Sequence, residues 1–167
     1  MPRGAVLLAP MLSLGNVANT TANRVLRQVA FLIDAVWPSL AIVGGGSDNR
    51  EADIQASFTQ DPLTSKCKAT RVRNALEYLR ACAQLEEDVS QGPGCRFPFI
   101  VFHAKEDEWT SSEGSCHLYR HSKAQDKSLR LLEGGTHTLT KGAEGQQLLR
   151  EVRQWLLQRT ADVTAAR

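Results

Sequence analysis

Phe97-Pro98-Phe99-Ile100-Val101-Phe102 is an unbroken apolar run in a chain of 167 residues. A strand with one face in water alternates polar and apolar side chains, whereas a strand covered on both faces does not. The run therefore predicts a buried strand of a parallel sheet, with Pro98 near its start, where a strand tolerates a missing donor. Gly4-Ala5-Val6-Leu7-Leu8-Ala9 reads in the same way, as a central parallel strand. Ser128 to Leu132 is a third strand, shorter and half alternating.

Helical spacing fills the intervals. Val25, Leu26, Val29, Ala30 and Ile33 mark one helix face, and Trp37-Pro38 ends that helix because the residue before a proline is pushed out of the α region. From Thr70 to Glu87, Val72, Ala75, Leu76, Leu79 and Ala83 recur at helical spacing. Ser90 to Arg96, with Gly92, Pro93 and Gly94, is a breaker-rich link. Thr110 and Glu113 make an S/T-x-x-E capping box for a helix running to about Ala124. A last helix, from about Ala143 to Arg159, lines one face with Leu148, Leu149, Val152, Trp155 and Leu156, and the tail after Thr160 reads as frayed. The order is strand, a helical section of about eighty residues, then strand, helix, strand, helix. It predicts an α/β fold with a parallel sheet and right-handed crossovers.

Composition narrows the function classes. Hydrophobic residues make up 42% and charged residues 23%, as in ordinary globular proteins. The net charge of +2 is spread without a block of like charges, which argues against nucleic acid as a partner. The apolar stretch from Gly4 to Leu14 is broken by Pro10 and is far shorter than the roughly 20 residues of a spanning helix. Behind Met1-Pro2-Arg3 it has two of the three parts of a signal peptide, but no small-x-small cleavage site follows, and a buried strand accounts for the same residues. Cys67, Cys82, Cys95 and Cys116 form no C-x-x-C pair, so free thiols in a reducing, cytoplasmic setting are expected. Cys116, His117 and His121 have spacing that can bind a metal, yet they read more simply as polar residues on a helix surface. Gly44-Gly45-Gly46-Ser47-Asp48 lacks the phosphate-loop spacing and reads as a flexible turn.

In open parallel sheets functional groups collect on loops at the carboxyl ends of strands. Two loops qualify: His103-Ala104-Lys105-Glu106-Asp107-Glu108-Trp109, and Gly134-Gly135-Thr136-His137-Thr138. An acid after one strand and a histidine after the next is the order in which a serine hydrolase places its second and third triad members. The histidine works as a base only if one ring nitrogen faces the nucleophile while the other donates to the carboxylate. Spacing alone leaves the bland alternative open, with Asp107 one of three solvated acids and His137 a loop residue.

Five stretches resemble, in order, the monoacylglycerol lipase and lysophospholipase-like group of α/β-hydrolases. They are Gly4 to Met11, Asp61-Pro62-Leu63, Arg71 to Ala75, Phe97 to His103, and Leu132-Glu133-Gly134 with His137. The resemblance implies the C-terminal part of an α/β-hydrolase fold, three parallel strands with helices, plus a helical cap. Residues 1–12 would be the first central strand, 13–94 the cap over the active site, and 95–167 the core carrying the acid and histidine loops. The family's H-G-x-x-D-x-V-T segment falls on His103 to Thr110, which makes Asp107 the acid, and its E-G-x-x-H-x-L segment makes His137 the base. The implied activity is carboxylic ester hydrolysis on a monoacylglycerol or similar lipid ester. It brings peripheral membrane contact through the cap and no metal or organic cofactor.

The chain departs from the group in two ways. Ala104 stands where the family has glycine, and a turn needing positive φ there would strain the alanine and misplace Asp107. No serine from Ser13 to Ser128 has glycines at the G-x-S-x-G spacing of a nucleophile elbow. The expectation is a fragment that lacks the nucleophile-bearing half and associates with itself when alone. The rival is a truncated, non-catalytic protein that binds lipid or a protein partner through the cap, and a third possibility is an unrelated small α/β binding module.

Overall fold

A computed structural model of the chain describes residues 4–15, 21–44, 52–63, 69–92, 94–134 and 136–164. The elements in chain order are β1 (Ala5–Leu8), α1 (Thr21–Val36), β2 (Ala41–Gly44), α2 (Ala52–Gln60), β3 (Ala69–Arg71), α3 (Val72–Ser90), β4 (Phe99–Ala104), α4 (Ser112–His121), β5 (Lys127–Leu132) and α5 (Gly142–Thr164).

The run at Phe97 forms the middle strand of a three-stranded parallel sheet, in the order β1-β4-β5. All six residues of β4 are buried, and the two sides of the sheet account for a sequence that does not alternate. On one side Ile100, Phe102 and Ala104 pack with Ala9, Leu139, Leu148 and Trp155. On the other, Phe99 and Val101 pack with Leu118 and Ala124. Both faces are core, so both parities of the strand are apolar.

β4 begins and ends two residues later than its sequence predicts. Pro98 has no N–H to give the ladder, but its carbonyl accepts from Ala5 N–H at 2.9 Å. At the far end the pairing with β5 continues to Ala104 opposite Leu132. His103 and Ala104 therefore lie in the strand rather than in the loop after it. Among the described residues Ala9 is the one non-glycine residue with positive φ, so Ala104 carries no such strain and the expected penalty for its missing glycine does not arise. The strain sits instead at Ala9 (φ 43°), where the chain turns out of β1 while its N–H still donates to Phe102 at 2.9 Å. Gly4 is needed for close approach, because a Cβ there would lie 2.5 Å from the Trp155 ring of α5.

The section expected to be wholly helical contains a small second sheet. β2 and β3 pair antiparallel, Ala41 opposite Arg71 and Gly44 opposite Ala69. The β-branched pair Ile42-Val43 follows Pro38 too closely to start a new helix, and Thr70 extends to meet it. Thr70 and Arg71 thus leave the predicted helix, which starts at Val72. Of the predicted glycine turn only Gly44 is among the described residues, at the end of β2. α1 packs on α3, and the Arg73 guanidinium binds the Asp34 carboxylate through Nε at 3.0 Å and a second nitrogen at 3.1 Å.

Two helix faces are less covered than their periodicity implies. On α1 Ala30 is buried and Ile33 half-buried, while Val25 and Val29 are exposed. On α5 Leu148 and Trp155 are buried, but Leu149 and Leu156 face water, and the helix runs on past Thr160 to Thr164.

Candidate active site

The loops after β4 and β5 lie side by side at the carboxyl edge of the sheet. The ladder continues one step beyond the strands, with Lys105 N–H donating to Leu132 at 2.9 Å. Lys105 and Glu133 form an ion pair across the loops, and Gly134 N–H donates to the Glu106 carboxylate at 2.8 Å. Gly134 has φ +62°, a left-handed conformation that a side chain would strain, so a glycine after Glu133 is what turns this loop back toward the first.

Asp107 and His137, the two residues singled out by spacing, meet here. His137 Nδ1 is 2.9 Å from Asp107 Oδ2, with the carboxylate fully buried and the imidazole about one-third exposed (37%). Asp107 Oδ1 accepts the backbone N–H groups of Trp109 (2.8 Å) and Thr110 (3.0 Å), a local turn that short acidic side chains favour. Oδ2 also accepts the Thr110 hydroxyl at 3.0 Å. Thr110 is therefore not the cap of the next helix, as its sequence pattern predicts. That place is taken by Ser111, whose Oγ accepts Glu113 N–H at 3.4 Å.

Burial works against a charge on Asp107. Hydrogen bonds from His103 and His137, and from the N–H groups of Thr110 and Trp109, outweigh it and hold the carboxyl well below the usual carboxylate range. A carboxylate can only accept, so His137 must donate from Nδ1. In that tautomer Nε2 carries the lone pair, and an imidazole so arranged can take a proton from a hydroxyl nucleophile and return it to a leaving alcohol.

Sequence spacing does not single out His103, Thr110 or Ser115, although the first two fall inside the matched segment. Their signal is faint: His103 points inward from a strand whose other inward residues are apolar. Trp109 also reaches the site, its ring 6.3 Å from that of His137. The other histidine pair behaves as a surface feature. His117 and His121 stack at 4.2 Å, and His117 Nε2 contacts Ser90 Oγ at 2.9 Å. No group of three His, Cys, Asp or Glu placed to hold a metal occurs among the described residues.

Residues 1–144 match the hydrolase family described as serine aminopeptidase, S33. The chain belongs to that family. Within this serine aminopeptidase S33 family it is an α/β-hydrolase of the monoglyceride lipase type: it is 29% identical to human monoglyceride lipase over 171 aligned positions, covering 98% of this chain and 53% of the lipase. The structure of Paleococcus ferrophilus monoacylglycerol lipase superposes with a TM-score of 0.76 at 19% identity, over 94% of this chain and 59% of that one. A soluble variant of Saccharomyces cerevisiae monoglyceride lipase, solved with a substrate analogue, gives 0.74 at 19% identity, over 95% of this chain and 56% of the other. These structural likenesses show the fold. The chain spans about half the length of the lipases it matches.

Proposed function

We propose that the chain supplies the acid, the histidine and the cap of a carboxylic ester hydrolase acting on a monoacylglycerol or similar lipid ester. Asp107 fixes the tautomer of His137, and His137 serves as general base and then general acid. The serine and its oxyanion donors belong to polypeptide outside these 167 residues, since no serine here has the elbow spacing. The observation that carries the reading is the 2.9 Å contact from His137 Nδ1 to the buried Asp107 carboxylate, at the carboxyl ends of adjacent parallel strands.

The cap reading draws on α1, where Val25, Val29, Leu32 and Val36 form an exposed apolar stripe suited to acyl chains or to a membrane surface. No helix among the described residues is long and apolar enough to cross a membrane. The same stripe favours the second reading, a non-catalytic chain that binds lipid or a protein partner.

Activity separates the two readings. The 167-residue chain alone should not be labelled by a fluorophosphonate and should not hydrolyse monoacylglycerol above background. Joined to a polypeptide carrying the elbow serine of a monoglyceride lipase, it should become active, and His137→Ala should then lower kcat/KM by at least about 1,000-fold. Undiminished hydrolysis by His137→Ala would refute the role of His137, and no activity in the joined protein would favour the binding reading.

A further inference from the structure

His103 is fully buried, carries a titratable ring, and has no part in the proton transfer described above. Its Nε2 faces three oxygens: Thr110 Oγ1 at 3.2 Å, Asp107 Oδ2 at 3.3 Å and the Thr110 carbonyl at 3.4 Å. The Thr110 hydroxyl already gives its proton to Asp107 at 3.0 Å, so toward His103 its oxygen can only accept. The carboxylate and the carbonyl accept as well. Nε2 must therefore bear the hydrogen, shared among three acceptors at the long end of hydrogen-bond distance. Nδ1 lies 2.7 Å from Ser115 Oγ, also fully buried, whose hydroxyl is placed to donate to it.

We propose that His103 is a positioning residue for the acid–histidine pair: its Nε2–H, with the tautomer set by Ser115, holds Asp107 Oδ2 where it receives His137 Nδ1–H. A carboxylate can rotate about its last bond. The two backbone N–H groups fix Oδ1, and His103 with the Thr110 hydroxyl restrains Oδ2 from the side opposite solvent. This extends the reading of Asp107 and His137 as acid and base and rests on it. A hydrophobic residue in place of His103 would fill the space and leave that restraint out.

The test uses the 167-residue chain with 15N-labelled histidine and needs no nucleophile. NMR should show His137 Nδ1–H as a low-field proton and His103 as a single Nε2–H tautomer. His103→Phe keeps the ring volume without the donor, and should speed water exchange of the His137 proton about tenfold, the equivalent of one hydrogen bond. His103→Gln, which restores a donor, should recover most of the protection. Amide protection along β4 serves as the control, since a purely structural effect would lower both together.

If His103→Phe does not fold, Ser115→Ala decides: His103 should then mix tautomers and the His137 proton should exchange faster. Unchanged exchange at His137 in whichever variant folds overturns the proposal, as does the absence of its low-field proton in the unsubstituted chain. Failure of the catalytic reading would appear elsewhere, as hydrolysis that survives His137→Ala while these NMR effects are still seen.

Discussion

Around the two oxygens of Asp107, in the loop after β4, the described residues include five donors: the N–H groups of Trp109 and Thr110, the Thr110 hydroxyl, and the rings of His103 and His137. On α1, Val25, Val29, Leu32 and Val36 carry an equally regular apolar pattern, and all four are exposed. The first region draws four of these donors from within four positions of Asp107 and the fifth from the neighbouring loop. The second has a periodicity whose cover is not found among the described residues. Local chemistry is thus completed inside the chain, while a hydrophobic stripe specifies a helix without specifying what lies on it.

Substitutions at the two regions should differ accordingly. The largest loss belongs to Phe102→Ala at the centre of the sheet, expected to cost ~3–5 kcal/mol in urea unfolding, and a loss below ~1 kcal/mol would mean that β4 is not the centre of the core. Asp107→Asn comes next, at ~1–3 kcal/mol, because it weakens several buried hydrogen bonds at once. Its effect should depend on pH with a definite sign. The Asp107 carboxyl is held below its ordinary value of 3.8, so its contribution is fully present above that pH and is lost as the pH falls toward its lower folded value. Melting temperatures of Asp107→Asn and the unsubstituted chain should therefore converge as the pH is lowered below 3.8. A constant difference across that range would contradict the charge argument.

Smallest in stability is Val29→Lys on the exposed stripe, expected within about 0.5 kcal/mol of the parent. It should nonetheless reduce binding to lipid vesicles in a sedimentation assay, and an unaltered vesicle affinity would remove α1 from any membrane role. Leu8→Lys probes the outer side of β1, where Leu8 is exposed and Leu7 packs into the core. If the chain associates through that edge, light scattering should show smaller particles for this variant at nearly unchanged stability.

Much of the core is legible from sequence because a short continuous apolar run between breakers fits little besides a strand covered on both faces. Phe99 to Phe102 and Ala5 to Leu8 both form strands, with parallel partners. The acid and histidine are readable as a pair because strand ends converge, so two polar loops separated by one helix must lie near each other. The β2–β3 pair is not legible: three- and four-residue strands are too short for any period to show. Thr110 misleads because a threonine three residues before a glutamate matches a capping box whether or not its hydroxyl is engaged elsewhere. His103 reads as a loop residue because the apolar run stops at Phe102, whereas backbone pairing with β5 carries the strand two residues further.

The register of the sheet also sets an order of events in folding. β4 meets β5 after a short excursion, Phe99 against Lys127, while β1 meets β4 only after the chain from Ala5 to Phe99 has been traversed. Closing the longer loop carries the larger entropic cost, so β1 should be recruited late, onto a β4–β5 pair that already exists. On a ribosome the order of synthesis is the reverse. β1 is made before β4 and would wait until residues 99–104 have been added to gain that partner, and pulse-labelled hydrogen exchange should find β5 amides protected before those of β1.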